Sequence, residues 1–163
     1  MTLQAILTII HILSAVVWLA LIPADLVLRR NIRRSRGKSG EKRLISIYMY
    51  LVNLCGMIGM TGILITGIIL ISIIPYYFFF SFASNHWLAT KQVIMVILLV
   101  LVFAFLIPTA KRVRGALGAD LENNLPLSAD SYNNLKKLET IITISNVLVL
   151  INFLLAITHR YIA

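Results

Sequence analysis

Apolar residues run almost unbroken through four stretches of this chain, residues 3–28, 44–74, 87–110 and 138–157, and polar residues gather between them. Each stretch reaches or exceeds the roughly 20 residues that a helix needs to cross about 30 Å of hydrocarbon. The pattern predicts an all-α fold: one domain over residues 1–163, an up-and-down bundle of four transmembrane helices near 3–28, 44–74, 86–114 and 132–160. The third connection, residues 111–137, is the only extended polar stretch. There Gly115 and Gly118 offer a helix stop, Pro126 breaks the chain, and Ser128 or Asp130 is placed to cap the fourth helix.

Periodicity gives the runs their faces. His11, Trp18 and Asp25 are seven residues apart and form one stripe down the first helix, which must face protein. Ser145, Asn152 and His159 repeat the spacing in the fourth helix, so two polar stripes can meet across the interior. The second helix offers small residues for close backbone approach: Gly56, Gly59 and Gly67, with the pairs Cys55/Gly59 and Gly62/Thr66 at four-residue spacing.

Composition agrees with a membrane solvent. Hydrophobic residues make up 60% and charged residues 13% of the chain, with a mean hydropathy of +0.92. An ordinary soluble domain carries roughly 45–50% apolar and about 25% charged residues. Met1-Thr2-Leu3-Gln4 lacks a positive segment ahead of the first apolar run and no small-residue cleavage site follows it, so the first helix is expected to be retained.

Charge supplies the orientation. Arg29, Arg30, Arg33, Arg34, Arg36, Lys38, Lys42 and Arg43 fill the first connection, and Lys111, Arg112, Arg114, Lys136 and Lys137 the third, whereas residues 75–85 carry no charge. The positive-inside rule then places connections one and three in the cytoplasm and both termini outside, in a multi-pass protein of a bacterial inner (cytoplasmic) membrane. The net charge of +9 flanks membrane spans and touches anionic lipid; no motif context supports nucleic-acid binding. Tyr76, Tyr77, Phe78, Phe79, Phe80, Phe82 and Trp87 form an aromatic belt at the outer boundary, with Tyr48 and Tyr50 near the inner one. Cys55 is the single cysteine, which excludes an intrachain disulfide, a CxxC redox pair and covalent CxxCH haem attachment.

The candidate chemistry lies at the outer level. All three histidines, His11, His86 and His159, fall on that side, and an ionisable group in or against a bilayer costs several kcal/mol unless it is paired, ligated or functional. Neutral imidazole is a good haem-iron ligand, and a four-helix interior admits a porphyrin plane. His11 is the one histidine well inside the hydrocarbon; His86 or His159 would be the second ligand, or each is a polar end-cap. Lys91, five residues after His86 and about 7–8 Å deeper, either snorkels to the headgroups or pairs with an anionic ligand group such as a porphyrin propionate or a quinone oxygen.

The opening His11-Ile-Leu-Ser-Ala-Val-Val-Trp18 resembles the start of the HemJ/CopD-like group of small bacterial membrane proteins, and Trp87-Leu88-Ala89-Thr90-Lys91 resembles the W-L-x-x-K opening of a HemJ helix. Two further segments, Leu-Ile-Pro-Thr-Ala-Lys-Arg-Val-Arg and Leu-Pro-Leu-Ser-x-x-Ser-Tyr, look most like a related four-helix branch of unknown function. HemJ proteins are protoporphyrinogen IX oxidases that bind b-type haem. The resemblance implies haem b at His11, with Lys91 as its functional partner. Copper handling is the weaker implication, because Met49, Met57, Met60 and Met95 are scattered and form no Met/His cluster.

These readings predict a membrane electron-transfer protein binding b-type haem, with quinone as a further cofactor. His11, His86 and His159 are the candidate iron ligands, Lys91 neutralises a propionate, Trp18 packs beside the ring, and Asp25 is a candidate proton relay. If it is an enzyme, it is a haem-dependent oxidoreductase. The alternative is a cofactor-free accessory subunit of a larger membrane complex, with the glycine face and polar stripes as helix–helix glue. Membrane lipids, a second copy of the chain or a larger membrane complex are the expected partners. A transporter is disfavoured, since four spans show neither paired broken helices nor a repeated half.

Overall fold

A computed structural model describes residues 2–122 and 126–162, with side chains over 2–120 and 126–158. It contains helices α1 (Leu3–Arg34), α2 (Glu41–Ile73) and α3 (Phe82–Val100), a π-helical turn (Leu101–Leu106), then α4 (Ile107–Glu122) and α5 (Ala129–Ile162). There is no strand among the described residues. α3, the π turn and α4 follow one another as a rod that kinks near its start at Asn85 (φ −148°, ψ 77°), so four helices, Leu3–Arg34, Glu41–Ile73, Phe82–Asp120 and Ala129–Thr158, are long and apolar enough to cross a membrane. Their outward faces are apolar, with Leu13, Leu26, Met57, Ile65, Phe103 and Leu154 among the exposed side chains.

The helices outrun their apolar stretches at the arginine-rich end. α1 continues past Leu28 to Arg34, and the third rod passes through both Gly115 and Gly118 instead of stopping there. Interior glycine costs a helix about 1 kcal/mol relative to alanine. The cost is met by packing: Ile32, Ile45, Val113, Leu117, Leu135 and Leu138 are buried in one cluster that ties all four rods together. The third connection is correspondingly short, and α5 begins at Ala129, where the Ser128 hydroxyl accepts the Ser131 N–H at 3.2 Å. Ser128, not Asp130, is the side chain that accepts this bond; Asp130 falls in the first turn.

α1 and α2 form the tightest pair. A Cβ added to Gly59 would sit 2.9 Å from Trp18 Cβ and 3.1 Å from the Ser14 carbonyl, and one added to Gly62 would collide with the Ser14 hydroxyl. Only glycine allows this approach. Gly67 continues the contact surface, with its Cβ position 3.4 Å from His11 Cε1. Gly56 behaves differently from the expected packing face: a Cβ there meets nothing within 4 Å, because Gly56 borders a cavity.

α1 also packs against α5, and α5 against the whole third rod, whereas α2 touches α4 only sparsely and leaves a seam. The π turn lies beside that seam. Ile107 N–H bonds back to the Val102 carbonyl, five residues earlier, and Pro108 follows immediately without an N–H to return to Ala104. A proline ring in a helix interior clashes with the carbonyl four residues before it, and a widened turn relieves that clash.

Buried polar contacts lock the arginine-rich end. Asp25 Oδ1 accepts from Arg29 Nε and from the Tyr48 hydroxyl, each at 2.7 Å, and Arg29 Nη1 donates to Thr143 Oγ1 at 2.8 Å. Tyr48 was expected in the inner aromatic belt; it is fully buried, because its hydroxyl has a carboxylate to reach. Tyr50, on the opposite side of the helix, is exposed as a belt residue would be. Glu41 is buried too, accepting the Gly37 N–H at 2.7 Å and the Tyr132 hydroxyl at 2.8 and 2.9 Å, while Arg36 stacks over the Tyr132 ring.

Gly59→Ala is expected to destabilise the protein by about 1–3 kcal/mol through overpacking, and Gly56→Ala to leave it unchanged or slightly more stable. Equilibrium unfolding in mixed micelles separates the two. By the same measurement Asp25→Ala, which strands the Arg29 charge, should cost about 3–5 kcal/mol. Tyr48→Phe should cost about 1.5–3 kcal/mol, the value of a hydrogen bond to a charged group.

Candidate functional site

The end of the bundle opposite the arginines holds His11, Lys91 and Trp87. His11 is half-buried on α1, and its Nδ1 lies 2.8 Å from Thr66 Oγ1 on α2. The Thr66 hydroxyl has a single proton, and the Gly62 carbonyl lies 2.5 Å from it. With that proton on the carbonyl, Thr66 accepts from His11 Nδ1–H and Nε2 keeps its lone pair; with the proton turned to His11, the roles reverse. In either case one ring nitrogen has a hydrogen-bond partner, the usual companion of a metal-ligating imidazole. Thr66 was read from the sequence only as a small packing residue; its place four residues after Gly62 was the signal for the helix contact but not for the hydrogen bond.

Lys91 enters the same region from α3. Its ammonium lies 5.6 Å from the centroid of Trp87, a cation–π distance. Trp87 in turn meets Tyr77 edge-on at 5.9 Å. Among the described residues Lys91 has no carboxylate partner, since the two ion pairs found, Arg29–Asp25 and Arg33–Glu139, both lie at the far end. A half-buried ammonium without a carboxylate is receptive to an anionic group.

The aromatic segment before α3 is pinned. Asn85 Nδ2 donates to the Tyr76 carbonyl at 2.6 Å, and Gln92 brackets Phe78 and Phe80, donating to one carbonyl at 3.2 Å and accepting the other's N–H at 2.5 Å. Phe80 is held at φ 52°, a left-handed conformation costly for a bulky residue. These bonds fix the segment as a shelf against the start of α3.

The remaining expected site residues are not all drawn together. His86 is exposed at the shelf, and the side chain of His159 lies outside the described residues. No group of three His, Cys, Asp or Glu side chains suited to a metal occurs among the described residues. Asp25 is fourteen residues from His11 on the same helix, about 21 Å away along its axis. It belongs to the Arg29–Tyr48 cluster and does not adjoin His11 or Lys91.

Trp18 is buried, as its stripe predicts, but it faces a cavity of about 300 Å³ in mid-bundle. α1 contributes Trp18 and Leu21, α2 Val52 to Thr61, the π turn Val102 to Leu106, and α5 Ile142, Ser145 and Asn146. No histidine or charged side chain lines it. Ser145 Oγ and Asn146 Oδ1 are buried there without a hydrogen-bond partner among the described residues. Ser145 was expected on the inward stripe; Asn146, beside it, was missed, although consecutive polar residues inside an apolar run are a readable signal.

No family model matches this chain, and no curated protein and no solved structure matches it.

Proposed function

We propose that this chain is a membrane electron-transfer protein that holds b-type haem at its histidine end, in the manner of the HemJ-like proteins it resembles. The carrying observation is the Gly62–Thr66–His11 chain of hydrogen bonds, which gives one imidazole nitrogen a partner and leaves the other for ligation. Lys91 supports the same reading as the cation that would meet a propionate, and His86 or His159 would be the second ligand. His11 and Lys91 suit the group, while His86 stands exposed at the shelf; the mid-bundle cavity, which no histidine lines, is a different place. When bound, haem supplies one-electron chemistry, while the chain contributes ligation, orientation and a low-dielectric surround that sets the potential. The arginine distribution supports a bacterial inner-membrane orientation with both termini outside, and a quinone of that membrane is the natural exchange partner.

A second reading has its own support. The His11 ring edges against Gly67, with Cε1 3.4 Å from the Gly67 Cβ position, and its bond to Thr66 joins α1 to α2, so the same contact serves a cofactor-free accessory subunit as helix–helix glue.

A reduced-minus-oxidised spectrum of the detergent-purified chain, with pyridine haemochrome quantification, separates them. The haem reading expects close to one haem per chain, loss in His11→Ala, and a haem affinity lowered about 10–100-fold in Thr66→Val, the effect of removing a ligand's hydrogen-bond partner. Folded protein without haem overturns it in favour of the accessory subunit.

A further inference from the structure

The mid-bundle cavity has the makings of a second site, independent of His11. We infer that it binds the neutral, hydroxyl-bearing ring of a lipid-soluble hydroquinone, which enters sideways from the bilayer through the seam between α2 and the third rod.

Three features of the cavity select that ligand class. Its polarity is the first. Ser145 and Asn146 are 3% and 6% exposed, and each has an oxygen facing no donor among the described residues. Such an atom in a low-dielectric interior is costly to leave unpaired; the Asn146 amide oxygen accepts and the Ser145 hydroxyl both donates and accepts, a pair that a hydroxyl-bearing ring satisfies. Charge is the second: no ionisable side chain lines the wall, which favours a neutral guest over an anion or cation. Size is the third. An apolar cavity of roughly 150 Å³ accommodates benzene. The volume here, about 300 Å³, leaves room for a substituted single ring.

The walls suit a flat ring with a tail. Gly59 lies close against the Trp18 backbone and Cβ, Trp18 lines the cavity, and Met57 and Met60 provide adaptable thioethers. Met57 and Phe103, on opposite sides of the seam, both line the cavity and are strongly exposed on the outer face of the bundle. The cavity therefore communicates with the lipid side. The π turn forms the wall at Val102, Phe103 and Leu106, and a single widened turn inside a helix is often found at a functional site.

Binding is testable in lipid nanodiscs, with Trp87→Phe making Trp18 the sole tryptophan reporter. The probe is a decyl-tailed dimethoxy-methyl hydroquinone, kept reduced anaerobically. Saturable change of Trp18 emission is expected, weakened about tenfold in Asn146→Leu, the loss of one hydrogen bond. Gly56→Leu, at a wall position where an added Cβ meets nothing within 4 Å, should abolish saturation while the protein stays folded. The oxidised quinone, which has no hydroxyl to donate, should bind about tenfold more weakly. His11→Ala should bind the hydroquinone as the parent does, so that failure of the haem reading is not mistaken for failure here. A non-saturating response identical in parent and Gly56→Leu, as simple partition into lipid around a water-filled cavity would give, overturns the assignment. Equal binding of quinone and hydroquinone overturns the role of Asn146.

Discussion

The structure depends on how closely α1 can lie against α2. In a lipid solvent there is little hydrophobic gain in pressing one apolar helix on another, so association rests on van der Waals fit and polar contacts that short distances permit. Gly59 and Gly62 create that distance by presenting bare backbone to Trp18 and Ser14. The rest of the pair's geometry follows. At one end His11 reaches Thr66, and at the other Asp25 reaches Tyr48, so two hydrogen bonds at opposite ends of the α1–α2 pair report one interhelical spacing. The indole of Trp18 meanwhile turns toward the space that α2 cannot fill.

The two ends of the bundle solve different problems. At the arginine-rich end the helices continue beyond their apolar spans, and there the fold gathers its largest buried cluster together with the Glu41 and Asp25 hydrogen-bond groups. Toward the histidine end the buried cluster shrinks to Trp18, Leu98, Val102 and Val149, and the helices expose most of their surface to the surrounding solvent. A loosely joined half beside a firmly clamped one leaves room for a guest without threatening the fold.

Much of this was legible in the chain. The four spans follow from apolar run length, and the burial of Trp18 and Asp25 from seven-residue spacing. Small residues on α2 revealed the α1 contact surface, though Gly56 shared the pattern without sharing the contact. What sequence could not reach were properties of distance between segments far apart in the chain: the hydrogen bond of His11 to a threonine fifty-five residues away, and the burial of Tyr48 by a carboxylate on another helix. The glycines at 115 and 118 misled because local propensity is weaker than the packing of Val113 and Leu117 around them.

The widened turn at Leu101–Leu106 also governs phase. Leu98, Val102, Leu106 and Ala110 succeed one another at intervals of four, a spacing that drifts off one side of a regular helix because each residue turns the chain by about 100°. Taking up the surplus in one broad turn keeps those positions on a single azimuth. The rod thus works as two helices indexed separately, one presenting Trp87 and Lys91 to the histidine end and the other presenting Val113 and Leu117 to the arginine end. Sequence drift in either half can re-tune its own neighbourhood while the opposite half keeps its aim.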